Sequence, residues 1–304
     1  MIALITGSLG FVGKYLRSEL EENGYEVVGL DIREGKNTLC VDLLDAKAVR
    51  AAVQSVAPDI IIHLAGQADV GASWRIPQKT FEINVLCAIN LMEAVRQTNP
   101  AIRMVLVGSS DQYGSLGENG AFVSETQLTD PQTPYAVSKK AQEDIAKVYA
   151  KAYGLNVCMT RSFNHGGAGQ REGFLIPDFS AGIVRVEKGL QSCLRVGNLT
   201  SKRDFTHVRD IVRAYRLIAE KGQSGEVYNV GSGKAYSAQE ILDTLRSMAV
   251  CPIPVEQDAA KMRPSDTPVI CCDHGKITAH TGWEPQFGMQ DILADTLAYY
   301  RQIL

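Results

Sequence analysis

No stretch of this 304-residue chain approaches the roughly 20 consecutive apolar residues that a membrane-spanning helix requires. Histidine is scarce, with 5 in all, and the 7 cysteines lie scattered at 40, 87, 158, 193, 251, 271 and 272. They form no C-x-x-C and no zinc-type spacing with the histidines, so no metal site is expected. Their odd number and dispersal read as reduced thiols of a cytoplasmic protein. The opening MIALITG has no basic stretch leading into a long apolar one, so no secretory signal is indicated. An excess of positive charge is also missing: 31 Lys and Arg against 34 Asp and Glu leave a net charge of −3. That balance offers no footprint for nucleic acid and no global attraction for an anion. An anionic small ligand would have to be met by a local group of arginines or lysines. Internal repeats and low-complexity tracts are absent too.

What remains is an ordinary globular composition, 45% hydrophobic and 21% charged. The length suits about two domains, or one large α/β unit with an appended lobe. Short apolar runs alternate with helical patterns over the first half. Strands are predicted at 2–6, 25–31, 59–66, 103–109 and 155–161, and helices at 11–23, 45–56, 78–98 and 134–153. This βα alternation predicts an α/β fold, a Rossmann-type doubly wound parallel sheet. After about residue 165 the pattern loosens into helices, short strands and the Pro-punctuated loops CPIPVEQ and MRPSDTP. A late strand is expected at 227–233 and a last amphipathic helix at 289–303. The division read from this is a dinucleotide-binding domain over 1–164 and a smaller C-terminal α/β substrate lobe over 165–304, some segments of which return to the first sheet.

Gly7, Gly10 and Gly13 form G-x-x-G-x-x-G at the junction of the first strand and first helix. A tight turn, close backbone approach to a pyrophosphate and a helix N-terminus aimed at negative charge all ask for this pattern there. Phe11 and Val12, inside the turn, are counted with it as cofactor-binding. Asp31 ends the second strand, where a carboxylate accepts from ribose hydroxyls and repels a 2′-phosphate. It favours NAD(H) slightly within an NAD(P)(H) expectation, which Arg33 softens. Asp42 and Leu43 are placed at the adenine edge. Leu64, Ala65 and Gly66, ending the fourth strand, would let the cofactor approach the backbone.

Tyr135 and Lys139 stand at i and i+4 behind Pro134, one turn apart on a single helix face. The ammonium is expected to pull the phenol's proton affinity down from its ordinary pKa near ~10, so that Tyr135 exchanges a proton near neutrality. Lys139 would also hold the nicotinamide ribose. Ser109 ends the fifth strand, where ligands of doubly wound sheets bind, and can donate a hydrogen bond to a reacting oxygen.

These residues, with HLAGQ, SSDQYG, PYAVSKK, RSFNHGGAGQ, VGNLTSKRDFTHVRD, YNVGSG and MRPSD, resemble the extended short-chain dehydrogenases that modify nucleotide sugars. The resemblance spans nearly the whole chain. Within that family it is closest to the GDP-mannose 4,6-dehydratases and the GDP-4-keto-6-deoxy-mannose reductases. It implies a Ser109–Tyr135–Lys139 triad, a nucleotide-sugar partner with GDP favoured, and a homodimer built on two long helices per subunit. It also implies sugar-phosphate contact at Asn164 and a pyrophosphate clamp of Arg203 and Arg263, whose guanidinium forks suit that geometry. The dehydratases carry a Glu where this chain has Asp111, one methylene shorter, and the segment from Met262 to Pro285 resembles the reductases. The expectation is therefore reduction of the C4 keto group to GDP-D-rhamnose, with Asp111 orienting a sugar hydroxyl. A 4-epimerase, a 4,6-dehydratase or a reductase giving the talo epimer are the alternatives on this scaffold. A non-catalytic NAD(P) sensor is the alternative of another class. The chain departs from the family at GGAGQ, which lacks the usual proline before its final Gly-Gln.

Overall fold

The computed structural model describes residues 1–114, 122–259 and 269–304. Through the first half the chain lays down β1 (Ile2–Thr6), α1 (Phe11–Glu22), β2 (Glu26–Asp31), β3 (Thr38–Cys40), α2 (Ala46–Val56), β4 (Ile60–His63), α3 (Val70–Arg75), α4 (Pro77–Phe81), α5 (Cys87–Thr98) and β5 (Arg103–Val107). The two-residue β6 (Phe122–Val123), α6 (Pro134–Tyr153) and β7 (Val157–Ser162) follow. The second half holds β8 (Asn164–Gly166), α7 (Leu175–Glu187), β9 (Leu194–Val196), β10 (Lys202–His207), α8 (Val208–Lys221), β11 (Val227–Val230), β12 (Ala235–Ser237), α9 (Ala238–Ser247), β13 (Val255–Gln257), β14 (Val269–Cys272), α10 (Gly275–Thr281) and α11 (Met289–Ile303). Among the described residues no helix is long and apolar enough to cross a membrane.

Seven parallel strands make the main sheet in the order β11-β7-β5-β4-β1-β2-β3. The order reverses between β1 and β4, which opens the crevice where doubly wound sheets take their ligands. The central strands β1, β4 and β7 are almost wholly buried, as continuous apolar runs require when helices cover both faces. One face packs against α2, α5 and α6 through Val49, Leu91 and Tyr149. The other packs against α1, α8 and α10 through Leu16, Tyr215 and Ile277, with Trp283 filling the space beside them. The Trp283 indole donates to Asp210 O at 2.9 Å, so this large buried ring leaves no orphan donor.

A second sheet runs β12-β10-β14-β6, with β8 pairing β10. Helices α7, α9 and α11 enclose a separate core over Ile183, Ile241 and Leu293. β7 ends at Ser162 and the chain passes through one residue into β8, so the second sheet stands at the carboxyl edge of the first.

Two local expectations need correction. The helix predicted over 78–98 is broken: between α4 and α5 the chain makes a π-turn over Glu82–Leu86. The wider turn lets the buried Asn84 side chain reach the Gln67 backbone, accepting from its N–H at 2.8 Å and donating to its carbonyl at 3.1 Å. CPIPVEQ is not all loop, because its last three residues form β13 beside β9.

Candidate active site

The glycine turn after β1 has no room for side chains. Gly7 takes φ +68°, and a Cβ there would stand 2.9 Å from the Ala65 nitrogen. A Cβ on Gly13 would stand 2.5 Å from Gly7 O and 2.6 Å from Ser8 O, so only glycine lets α1 start this close to the turn. Gly10 caps α1 without any side-chain hydrogen bond, which leaves the N–H groups of its first turn, Phe11 and Val12 among them, for an outside acceptor. Asp31, buried at the end of β2, accepts from Leu9 N at 3.1 Å and from Arg33 N and Nε at 3.2 Å. Asp42 is exposed, whereas Leu43 turns into the core below it. Ala65 N donates to Thr6 Oγ1 at 3.2 Å, and Gly66 passes close enough to Lys139 that a Cβ would lie 3.5 Å from its Nζ. An uncapped helix terminus above a backbone-lined turn is the cradle that a dinucleotide pyrophosphate fills.

Helix α6 starts cleanly, with the Thr133 hydroxyl accepting from Ala136 N at 3.0 Å and Pro134 in its first turn. It delivers Tyr135 and Lys139 to the ends of β4 and β5. The Ser109 hydroxyl lies within hydrogen-bonding reach of the Tyr135 phenol. Ser109 Oγ also accepts from Asp111 N at 3.2 Å, in the 3-10 turn Ser110–Tyr113 that follows β5. The expected pull of Lys139 on Tyr135 does not operate here. Burial raises the Tyr135 pKa well above 10, the Asp111 carboxylate adds to that rise, and only the Ser109 hydrogen bond opposes it. The Lys139 ammonium is engaged elsewhere, with Val107 O at 2.9 Å and Gln142 Oε1 at 3.0 Å, and burial lowers its own pKa to about 8. In this state Tyr135 is a protonated phenol, poised to give a proton rather than to take one.

Of the residues expected to meet the substrate, Asn164 is exposed on β8 and Arg203 lies on the adjacent β10. Arg203 donates to Lys202 O at 2.8 Å. Arg263 lies outside the described residues. The GGAGQ loop without its proline is tied down from three elements. Tyr15 donates to Ala168 O at 2.8 Å, Tyr300 to Gln170 O at 2.9 Å, and Gln170 Nε2 to His165 O at 3.2 Å.

A family model for GDP-mannose 4,6 dehydratase matches residues 4–296. The chain belongs to that family. GDP-6-deoxy-D-mannose reductase of Pseudomonas aeruginosa is 32% identical over 295 residues, 97% of this chain and 95% of that protein. GDP-mannose 4,6 dehydratase 1 of Arabidopsis thaliana is 31% identical over 321 residues, 96% of this chain and 87% of that protein. The structure of RMD from Pseudomonas aeruginosa complexed with NADPH superposes with a TM-score of 0.90 at 31% identity, covering 100% of this chain and 99% of the other.

Around Ser109, Tyr135 and Lys139, this chain buries polar residues that pattern reading passed over. Asn84 donates to Ser138 Oγ at 2.9 Å, next to Lys139. Gln112, Glu143 and Arg161 form a connected group under the Ser109 turn. Tyr135, Lys139 and Glu143 recur at i, i+4 and i+8 on α6, a spacing that could have drawn Glu143 into the search. Gln112 carried a local one, the S-x-x-Q spacing of a capping box on Ser109.

Proposed function

We propose that this chain reduces the C4 keto group of GDP-4-keto-6-deoxy-mannose with NAD(P)H, giving GDP-D-rhamnose. The observation that carries the reading is the buried phenol of Tyr135, kept protonated beside the Ser109 hydroxyl at the carboxyl edge of the sheet. A dinucleotide fits the residues present. The Gly7–Gly13 turn and the first turn of α1 would hold its pyrophosphate, Asp31 its adenosine ribose, and Ala65, Gly66 and Lys139 its nicotinamide half. The bound cofactor supplies the hydride that reduces C4.

The chain's own groups do the rest. Ser109 donates to the keto oxygen and fixes its direction. Tyr135 hands its proton to that oxygen as negative charge develops on it. Lys139 keeps positive charge beside the site. Asn164 and Arg203 serve the diphosphate and sugar, Arg263 being assigned to the same role by the resemblance alone, in a division of labour with 1–164 for the cofactor and 165–304 for the nucleotide sugar. Asp111 orients a sugar hydroxyl and keeps Tyr135 in its acid form. A 4,6-dehydratase needs a carboxylate that removes a proton from the sugar, and Asp111 is one methylene short of the family's Glu. Reach matters here, since a displacement of ~1 Å can cost on the order of 100-fold.

A second copy of the chain is the partner that suits the outer face of the π-turn and α6, where Leu86 (48% exposed), Val137 (40%) and Val148 (53%) stand in solvent. The seven free thiols suit the cytoplasm. The deciding experiment supplies the keto-sugar, generated in place, and follows NADH and NADPH oxidation together with the product sugar. Oxidation with a rhamno product is expected. No oxidation, with NAD(P) retained through purification, would point instead to the epimerase or dehydratase.

A further inference from the structure

Gln112 is completely buried, and the capping box it forms with Ser109 accounts for only one end of its amide. Its two ends do different things. The carbonyl Oε1 accepts from the backbone N–H of Ser109 at 3.2 Å, and the amide Nε2 donates to Glu143 Oε2 at 2.7 Å. Glu143 is itself anchored: Arg161 donates to it through Nε at 2.9 Å and Nη2 at 2.8 Å, and Lys147 at 2.6 Å. Arg161 in turn lies over the Tyr113 ring at 4.8 Å, and the Tyr113 hydroxyl donates to Asn229 Oδ1 at 2.7 Å. The amide has no freedom to leave this position. Across from it Gly108 has no side chain, and a Cβ there would stand 2.9 Å from Gln112 Oε1.

The group therefore joins two elements that the reaction needs in register. Ser109 and Asp111 sit on the turn after β5. Tyr135 and Lys139 sit on α6, and Glu143 extends their face by one turn. Resting on the reductase reading of this site, we propose that Gln112 is a positioning residue: it couples the Ser109 turn to α6 and so sets the Ser109 hydroxyl against the Tyr135 phenol. Only a neutral amide serves. The position must accept from one N–H and donate to one carboxylate, a pair of roles that neither an aliphatic side chain nor an ionised carboxylate fills. A hydrocarbon there would leave the Ser109 N–H unpaired and the Glu143 oxygen one donor short. A carboxylate would face Glu143 directly, within a setting that also holds Arg161 from β7, Lys147 from α6, and Asp111 and Tyr113 from the turn itself.

The test uses the full chain with two variants, Gln112→Leu and Gln112→Glu. For Gln112→Leu, kcat for the keto-sugar should fall on the order of 100-fold, while KM and NADPH affinity by fluorescence titration stay near wild type. Amide exchange over residues 103–114 should quicken. Gln112→Glu should be equally slow at alkaline pH and recover on acidification, because one proton shared between the new carboxyl and Glu143 restores a donor and an acceptor. Wild type should show no such recovery. Wild-type kcat and exchange in Gln112→Leu, or a loss in Gln112→Glu that does not respond to pH, would overturn the proposal. So would loss of the melting transition in both variants, which would make Gln112 a folding residue only. A wild-type chain that reduces no keto-sugar would sink the reductase reading instead, and the exchange rates would still decide the positioning claim.

Discussion

Tyr135 owes its protonated state to where it sits rather than to its neighbour one turn along. Burial and the Asp111 carboxylate both favour the phenol, and Lys139 spends its charge on a carbonyl and an amide. Tyr135→Phe removes the proton while keeping the ring's bulk. Turnover should drop by roughly 10²–10⁴-fold, with NAD(P)H binding unchanged by titration; wild-type turnover would exclude the assignment. At the other end of the proposed cofactor site, Asp31 and Arg33 form an exposed-to-buried pair, the arginine 63% exposed and the aspartate 6%. Arg33 can swing out to a 2′-phosphate, whereas Asp31 cannot leave. Arg33→Ala should therefore lower the kcat/KM ratio of NADPH to NADH, and Asp31→Asn should raise it. Steady-state assays with both cofactors would expose the opposite shifts. Ser109, Tyr135 and Lys139 were readable as candidates because a Tyr and a Lys one helical turn apart follow a strand that ends near a Ser. The hold of Gln112 on Ser109 follows a capping-box spacing, but its link to Glu143 was not readable, because that partner lies 31 residues away.

Strands of the central sheet carry groups that register acid. His63, at the end of β4, accepts or donates at 2.8 Å with Thr6 Oγ1, and burial, helped by the Lys139 charge, lowers its pKa from 6.5 to about 3. The unfolded chain takes up that proton near pH 6.5 and the fold does not, so stability falls as pH drops below 6.5 and levels only near 3. Glu143 adds a lower window. Burial alone would raise its pKa, but Arg161 and Lys147 hold it down at about 2. Its contribution is complete above pH 4.5 and is lost as pH falls toward 2. Urea midpoints should therefore decline from near neutrality downward, and His63→Gln should flatten the upper part of that decline. An unchanged slope in that variant would remove His63 from the account. The strands and helices themselves follow local pattern closely, α6 above all. The π-turn at Glu82–Leu86 escaped because a helix-period pattern runs through it unbroken, and what opens the turn is the distant pairing of Asn84 with Gln67.

At the scale of the whole molecule, the face of the π-turn and α6 that carries Leu86 and Val148 bears on assembly. Leu86→Asp with Val148→Asp places charge on that face away from the core, so the fold should survive while a dimer should not. Light scattering after size exclusion should report a dimer for wild type and a monomer for the double variant. A dimer in both would move the interface elsewhere. The late strand expected at 227–233 is β11 over Val227–Val230, which pairs with β7 in the main sheet. Where β6 would pair could not be read: two residues carry no period, and its partner β14 lies far along the chain.

The place of β11 has a consequence for how the protein is made. This strand closes one edge of the main sheet, yet its residues, 227–230, leave the ribosome 65 or more residues after Ser162 has ended β7. At the usual ~5–20 residues per second, β7 waits roughly 3–13 s with an open edge. Helix α8 emerges a little sooner than β11, whereas the seat for Trp283 stays uncovered longer. During synthesis the half-built sheet is thus a hydrophobic surface awaiting its own C-terminal half, and conditions that slow translation through that half lengthen its exposure to aggregation.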